Sequence, residues 1–201
     1  MFKVGITGGI GSGKTTVCRL FELQGIPVFY ADSQAKEIMN TDPLLIAGIK
    51  QAFGDDVYED GLLNRSKLAA LVFNNSMELQ KLNNLVHPAV FRAFDIWIAQ
   101  QKSRYVIKEA AVLFESGSYK DCDSTILVTS PKSMKISRVV KRDSVTEADV
   151  LKRMDKQLSD EEKEKLADFV IANNEKQLLI PQVLKLHKIF LDKIATINDN
   201  R

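Results

Sequence analysis

Three observations predict an α/β fold with a parallel five-stranded sheet flanked by helices. Five short, β-prone apolar runs recur along the 201 residues, at 2–7, 27–30, 105–107, 125–128 and 169–172. Stretches with helical periodicity separate them, as βα units on a parallel sheet require. Within Thr125-Ile126-Leu127-Val128 the apolar residues are continuous rather than alternating, the pattern of a strand buried on both faces.

The first run, Phe2–Thr7, leads straight into Gly8-Gly9-Ile10-Gly11-Ser12-Gly13-Lys14-Thr15. That octet fits G-x-x-x-x-G-K-[S/T], the phosphate-binding loop, without a mismatch, and a strand precedes it and a helix can follow it. Glycines let the backbone bend closely around a polyphosphate. Gly9, Gly11, Ser12 and Gly13 would cradle the phosphates of ATP. Thr16 joins them through the helix N-terminus, whose unpaired N–H groups and positive dipole favour anions. Lys14 is expected at the β- and γ-phosphates, and the Thr15 hydroxyl on Mg²⁺. The sheet is therefore expected to be of P-loop NTPase type.

The remaining elements follow in order. Gly25 ends the first helix, Pro27–Tyr30 forms the second strand, and Asp32 or Ser33 caps the next helix. Residues 42–103 read as almost wholly helical. Leu44-Leu45-Ile46, Ile49 and Phe53 form one amphipathic stretch, broken at Gly54-Asp55-Asp56. Leu68, Leu71-Val72 and Phe73 form another, and Leu79, Leu82 and Leu85-Val86 a third. His87-Pro88 is expected to restart a helix, with Pro88 in its first turn. So long a helical block between strands exceeds a plain crossover and predicts an inserted lobe that covers a substrate. Pro131 opens a helix through Arg142, a charged region spans about 141–165, and a helix around 180–194 closes the chain.

Composition narrows the function. Lys plus Arg exceeds Asp plus Glu by 28 − 26 = 2, so no global basic field marks a nucleic-acid binder. Cys18 and Cys122 lack metal or disulfide spacing. No apolar run approaches ~18 residues, so no membrane span is expected, and a reducing cytoplasm is the expected location. Neither the N-K-x-D nor the D-x-x-G of a GTPase occurs. A carboxylate after strand two, a helical lobe and late arginines suit a kinase of a small molecule.

A family resemblance then becomes specific. Gly5-Ile6-Thr7 with the octet resembles the opening of dephospho-CoA kinases, GLTGGIGSGKS. Ala31-Asp32 falls at the interval of that family's D-A-D. Gly61-Leu62-Leu63-Asn64-Arg65, Val72-Phe73, Leu85-Val86-His87-Pro88 and Leu113-Phe114-Glu115-Ser116-Gly117 resemble G-x-L-D-R, V-F, I-x-H-P and L-L-F-E-x-G. Arg138 to Asp143, Arg153 with Gln157, and Ala167 to Asn173 resemble R-x-x-x-R-D, R-I-x-x-Q and A-D-x-V-I-x-N. Tyr30, Lys36, Glu109-Ala110-Ala111-Val112 and Lys135 depart from the pattern. The resemblance implies one kinase domain over 1–201. Its core would be 1–32, 104–137 and 166–201, its substrate-binding lobe 33–103, and its lid 138–165. It also implies ATP- and Mg²⁺-dependent phosphorylation of the ribose 3′-hydroxyl of dephospho-CoA, with no obligate protein partner. Another P-loop kinase, of a nucleoside, nucleotide or sugar, and a non-catalytic ATP-binding switch are the alternatives.

Each candidate carries a plain reading beside its functional one. Asp32 either accepts the hydroxyl proton or caps a helix. Arg138 and Arg142, four apart on one helical face, either reach ATP and the transferring phosphate or belong to a solvated charged face. Lys36, Arg65 and His87 are candidates for holding the acceptor, His87 being equally a residue at a helix start. Phe114 and Glu115 lie where substrates would meet, though an aromatic at a strand end is often core.

Overall fold

The computed structural model describes residues 1–72 and 75–199, so Phe73 of the V-F pair lies outside the described residues. The chain divides into two compact units, residues 1–30 with 101–201, and residues 31–100.

The first unit is the predicted sheet. Its strands are β1 (Phe2–Thr7), β2 (Val28–Tyr30), β5 (Tyr105–Glu109), β6 (Ser124–Thr129) and β7 (Phe169–Ala172), in the order β2-β5-β1-β6-β7, all parallel. β1 is central; Ile6 pairs with Glu109 on one side and Ile126 on the other. Its helices are α1 (Lys14–Glu22), α6 (Lys132–Asp143), α7 (Glu147–Met154), α8 (Asp160–Glu164) and α9 (Leu179–Asp199). Period-2 geometry sends Val4, Ile6, Tyr105, Ile107, Ile126, Val128 and Ile171 to one core with Val17, Cys18 and Phe21 of α1 and Val183, Leu186 and Phe190 of α9. Phe190 anchors it, its ring edge-on to Tyr105 and Phe169 at 5.6 and 5.5 Å between centroids. Each large apolar side chain so buried stabilises the fold by about 1.5–3 kcal/mol. The Tyr105 hydroxyl, 2.7 Å from His187 Nδ1, keeps its polar end satisfied. Asp168 has a structural task, accepting from the N–H and hydroxyl of Thr125 at 2.7 and 2.9 Å at the start of β6.

The second unit holds α2 (Ala31–Thr41), α3 (Pro43–Phe53), α4 (Arg65–Val72) and α5 (Ser76–Ala99). Asp42 caps α3, accepting from the N–H groups of Leu44 and Leu45 with Pro43 at the first helical position, and Gly54 (φ 97°) ends it. Two expectations fail here. The block is interrupted by an antiparallel hairpin, β3 (Tyr58–Glu59) and β4 (Leu62–Leu63). Asp60 and Gly61, at φ 50° and 80°, make the left-handed two-residue turn that suits strand twist. Tyr58 Oη donates to Met39 O at 2.7 Å, and Leu63 N–H to Asn40 Oδ1 at 2.8 Å, fastening the hairpin to α2. Nor does a helix restart at His87-Pro88, since α5 runs unbroken through Pro88. An interior proline costs about 3 kcal/mol. Burying Val86, Ala89, Val90 and Phe94 along one continuous stripe outweighs that.

Candidate active site

Residues Gly8–Gly13 join β1 to α1, and the loop's carbonyls are held from the protein side. Gly8 O accepts from Lys14 Nζ at 2.9 Å and Gly9 O from Ser12 N–H at 3.0 Å. Gly11 O accepts from Arg138 at 3.4 Å, Ser12 O from Asn173 Nδ2 at 2.8 Å, and Gly13 O from Thr16 N–H at 3.0 Å. The N–H groups of Gly11 and Gly13 have no acceptor among the described residues, nor does the buried Ser12 hydroxyl. Gly13 is the left-handed N-cap of α1 (φ 94°), and a Cβ there would collide with Asn173. A Cβ at Gly11 would strike the Lys135 carbonyl. Such a loop fits a polyphosphate: carbonyls tied back, N–H groups left over, and a helix dipole behind.

Lys14 lies along this loop, almost buried, with Nζ 3.9 Å from the Glu109 carboxylate. Glu109 ends β5 beside Ile6 and Tyr30. Thr15 and Thr16 occupy the exposed first turn of α1. Arg138 also donates to Ser130 Oγ at 3.0 Å and pairs with Glu175 at 3.3 Å. Lys135, buried on α6, pairs with Asp160 at 2.8 Å beside Gly9. Arg142 instead forks onto its neighbour Asp143 (2.7 and 3.1 Å), and Arg153 reaches the same carboxylate at 2.9 Å. The Arg142 hydrogen bond, helped by Arg153, holds the Asp143 carboxyl below the usual carboxylate range. Phe114 is buried against Tyr119, as a core aromatic would be. Glu115 accepts from Lys163 Nζ at 3.0 Å and Leu158 N–H at 3.1 Å.

In the helical unit α2 begins at Ala31, directly after Tyr30, so Asp32 lies inside the first turn and caps nothing. The carboxylate is exposed, with no hydrogen bond or ion pair among the described residues. Lys36 stands one turn further along α2, and Arg65, opening α4, donates to the Lys36 carbonyl at 3.2 Å. Two exposed cations and a carboxylate thus share this surface. His87 sits half-buried in the middle of α5, not at a helix start.

Asn173 and Gln157 enter the sequence reading only as parts of family motifs and Lys135 only as a departure from one, with no role attached, and Lys163 does not stand out at all. One rule points to the first: parallel sheets gather ligands at the carboxyl ends of their strands, and Asn173 directly follows β7. Glu109 and Ser130, at or just past the ends of β5 and β6, obey it too.

A family model for dephospho-CoA kinases matches residues 2–178. This chain belongs to the dephospho-CoA kinase family. A Bacteroides fragilis dephospho-CoA kinase is 37% identical over 193 residues, covering 96% of this chain and 94% of its own length. One from Salinibacter ruber is 43% identical over 178 residues, covering 87% of this chain and 89% of its own. The crystal structure of TT1252 from Thermus thermophilus superposes with a TM-score of 0.82 at 31% identity, over 96% of this chain and 97% of that one. The family is one of kinases, so the expectations of a transferase and of a P-loop sheet hold. Among the described residues no helix is long and apolar enough to cross a membrane.

Proposed function

We propose that this chain transfers the γ-phosphoryl group of ATP to the ribose 3′-hydroxyl of dephospho-CoA, giving CoA and ADP in coenzyme A synthesis. One observation carries the reading beyond family membership: the loop Gly8–Gly13 has its carbonyls tied back and N–H groups left for an anion, with Lys14 along it. Phosphoryl transfer asks mainly for positioning and charge stabilisation, and this loop offers both.

In this reading Gly9, Gly11 and Gly13 hold the phosphates through backbone N–H groups, Ser12 and Thr16, whose N–H groups are engaged within the loop, add their hydroxyls, Lys14 follows the transferring group, and Arg138 steadies the loop. Asp32, two residues beyond β2, accepts the 3′-hydroxyl proton, and Lys36 and Arg65 attract the acceptor's phosphates. His87 belongs to the acceptor lobe. Residues 138–165 act as a lid, on which Arg142 exchanges Asp143 for the phosphoryl group. Among the described residues no three His, Cys, Asp or Glu side chains gather as a metal site. That suits Mg²⁺, which is held by one or two protein groups and the substrate phosphates. Thr15 would ligate it, with Glu109 nearby, and when bound it neutralises charge on the phosphates.

The test is ADP release with and without dephospho-CoA. Strong stimulation by dephospho-CoA is expected. Stimulation only by another nucleoside, nucleotide or sugar, or none by any acceptor, would replace this reading by another kinase or by an ATP-binding switch.

A further inference from the structure

The connector between α7 and α8 reaches the phosphate loop. Ile10 N–H donates to Gln157 Oε1 at 3.0 Å. The other end of the same carboxamide donates from Nε2 to the Ala111 carbonyl at 3.4 Å. That carbonyl, just past β5, also accepts from Thr7 Oγ1 at 3.4 Å and from Lys163 Nζ at 3.5 Å. Lys163 is wholly buried and paired with Glu115, whose Oε1 accepts the N–H of Leu158, the residue after Gln157. Gln157 N–H is itself held by Met154 O at 2.9 Å. Gln157 is thus fixed in backbone on both sides and in side chain at both ends.

Two features make this more than a surface strap. Burying an ammonium costs several kcal/mol unless it is paired, so a buried Lys163 is an expensive way to hold a loop whose exact position does not matter. And the amide at 157 has only one satisfactory orientation: reversing it would set donor against Ile10 N–H and acceptor against Ala111 C=O. A glutamate offers acceptors alone and cannot serve both. Gln157 thereby bridges the first peptides of the phosphate loop to the strand that ends in Glu109.

We infer that Gln157 is a positioning residue for nucleotide binding: it sets the Ile10 peptide, and the Glu115–Lys163–Ala111 cluster sets Gln157. The inference rests on the proposed ATP reading. Four of the six residues Gly8–Gly13 are glycines, which lose the most freedom when ordered, so an external tie that orders the loop before nucleotide arrives lowers the cost of binding. The Ile10 N–H has the tie that its neighbours Gly11 and Gly13 lack among the described residues. Glu115, expected at the acceptor, is engaged in holding this connector.

The experiment is calorimetric binding of ADP to the full chain at pH 8, as wild type, Q157L and Q157E. Wild type binds ADP. Q157L keeps the bulk but neither hydrogen bond, and its ADP affinity falls about five- to tenfold. Its Tm stays within about 3 °C and its KM for dephospho-CoA is unchanged. Q157E keeps an acceptor for the Ile10 N–H but sets a carboxylate oxygen against the Ala111 carbonyl, and it is at least as weak. Affinities within twofold of wild type for either variant overturn the inference. Failure of wild type to bind ADP removes the nucleotide reading itself.

Discussion

The phosphate loop and the α2–α4 surface of the helical unit are built on opposite plans. In the loop the carbonyls of Gly8, Gly9, Gly11, Ser12 and Gly13 are tied by Lys14, Ser12, Arg138, Asn173 and Thr16, so its shape precedes its ligand. On the helical surface Asp32 is exposed and unpaired among the described residues, and Lys36 and Arg65 are joined only through a backbone carbonyl. A loop that binds the same polyphosphate every turnover binds it more tightly for being ordered in advance. A surface meeting a long, many-jointed acceptor can leave its charges solvated until contact. The difference predicts that loop substitutions act on nucleotide binding and chemistry together, whereas helical-unit substitutions separate the two.

The largest effect is expected at Lys14. Replacing it by Met should lower kcat/KM about a thousandfold, since it removes the cation proposed to follow the transferring group and leaves Glu109 without that partner. Steady-state kinetics read this, and a loss under tenfold would break the contrast. Next is Asp32→Asn, for which kcat should fall about a hundredfold with ADP affinity intact by calorimetry. If ADP affinity falls alongside, the carboxylate serves the nucleotide and not the hydroxyl. Arg65→Ala is milder, raising KM for dephospho-CoA about five- to tenfold with KM for ATP unchanged, as loss of one exposed charged contact implies.

The smallest effect lies away from both regions. Burial lowers the pKa of His187, so the folded chain favours neutral imidazole beneath the Tyr105 hydroxyl. Below the ordinary histidine value of about 6.5 the unfolded chain takes up the proton first. Stability is therefore fully present above that pH and lost as pH falls through the lower folded value. Urea midpoints between pH 7.5 and 5 should fall less in His187→Phe than in wild type. Equal slopes would show that the pair is not coupled to folding.

What sequence makes legible follows from which forces are local. The five strands can be read from short β-prone apolar runs, β6 most clearly because a strand buried on both faces is continuously apolar, and Lys14 and Thr15 because the loop's chemistry fixes their spacing. The hairpin at Tyr58–Leu63 escapes notice although Asp60-Gly61 announces such a turn; the helical periodicity on either side masks it. Pro88 misleads because its local cost is visible and the stripe of buried side chains outweighing it is not. Arg142, Asp143 and Arg153 are readable as a charged group, but not as two guanidiniums on one carboxylate. Gln157, Lys163 and Asn173 act across long stretches of chain or through a carbonyl, and no one-dimensional pattern encodes such partners.

The strand order has a consequence for how the molecule is made. Central β1 and the following β2 both wait for β5 as a neighbour, and β5 begins only at residue 105. On a ribosome the whole of residues 31–100 emerges before any two strands of the main sheet can pair. The sheet's earliest pairing must close a long chain excursion, at a cost that grows only slowly with length. A chain released before residue 105 therefore carries the glycine octet yet has no neighbouring strand against which to set it.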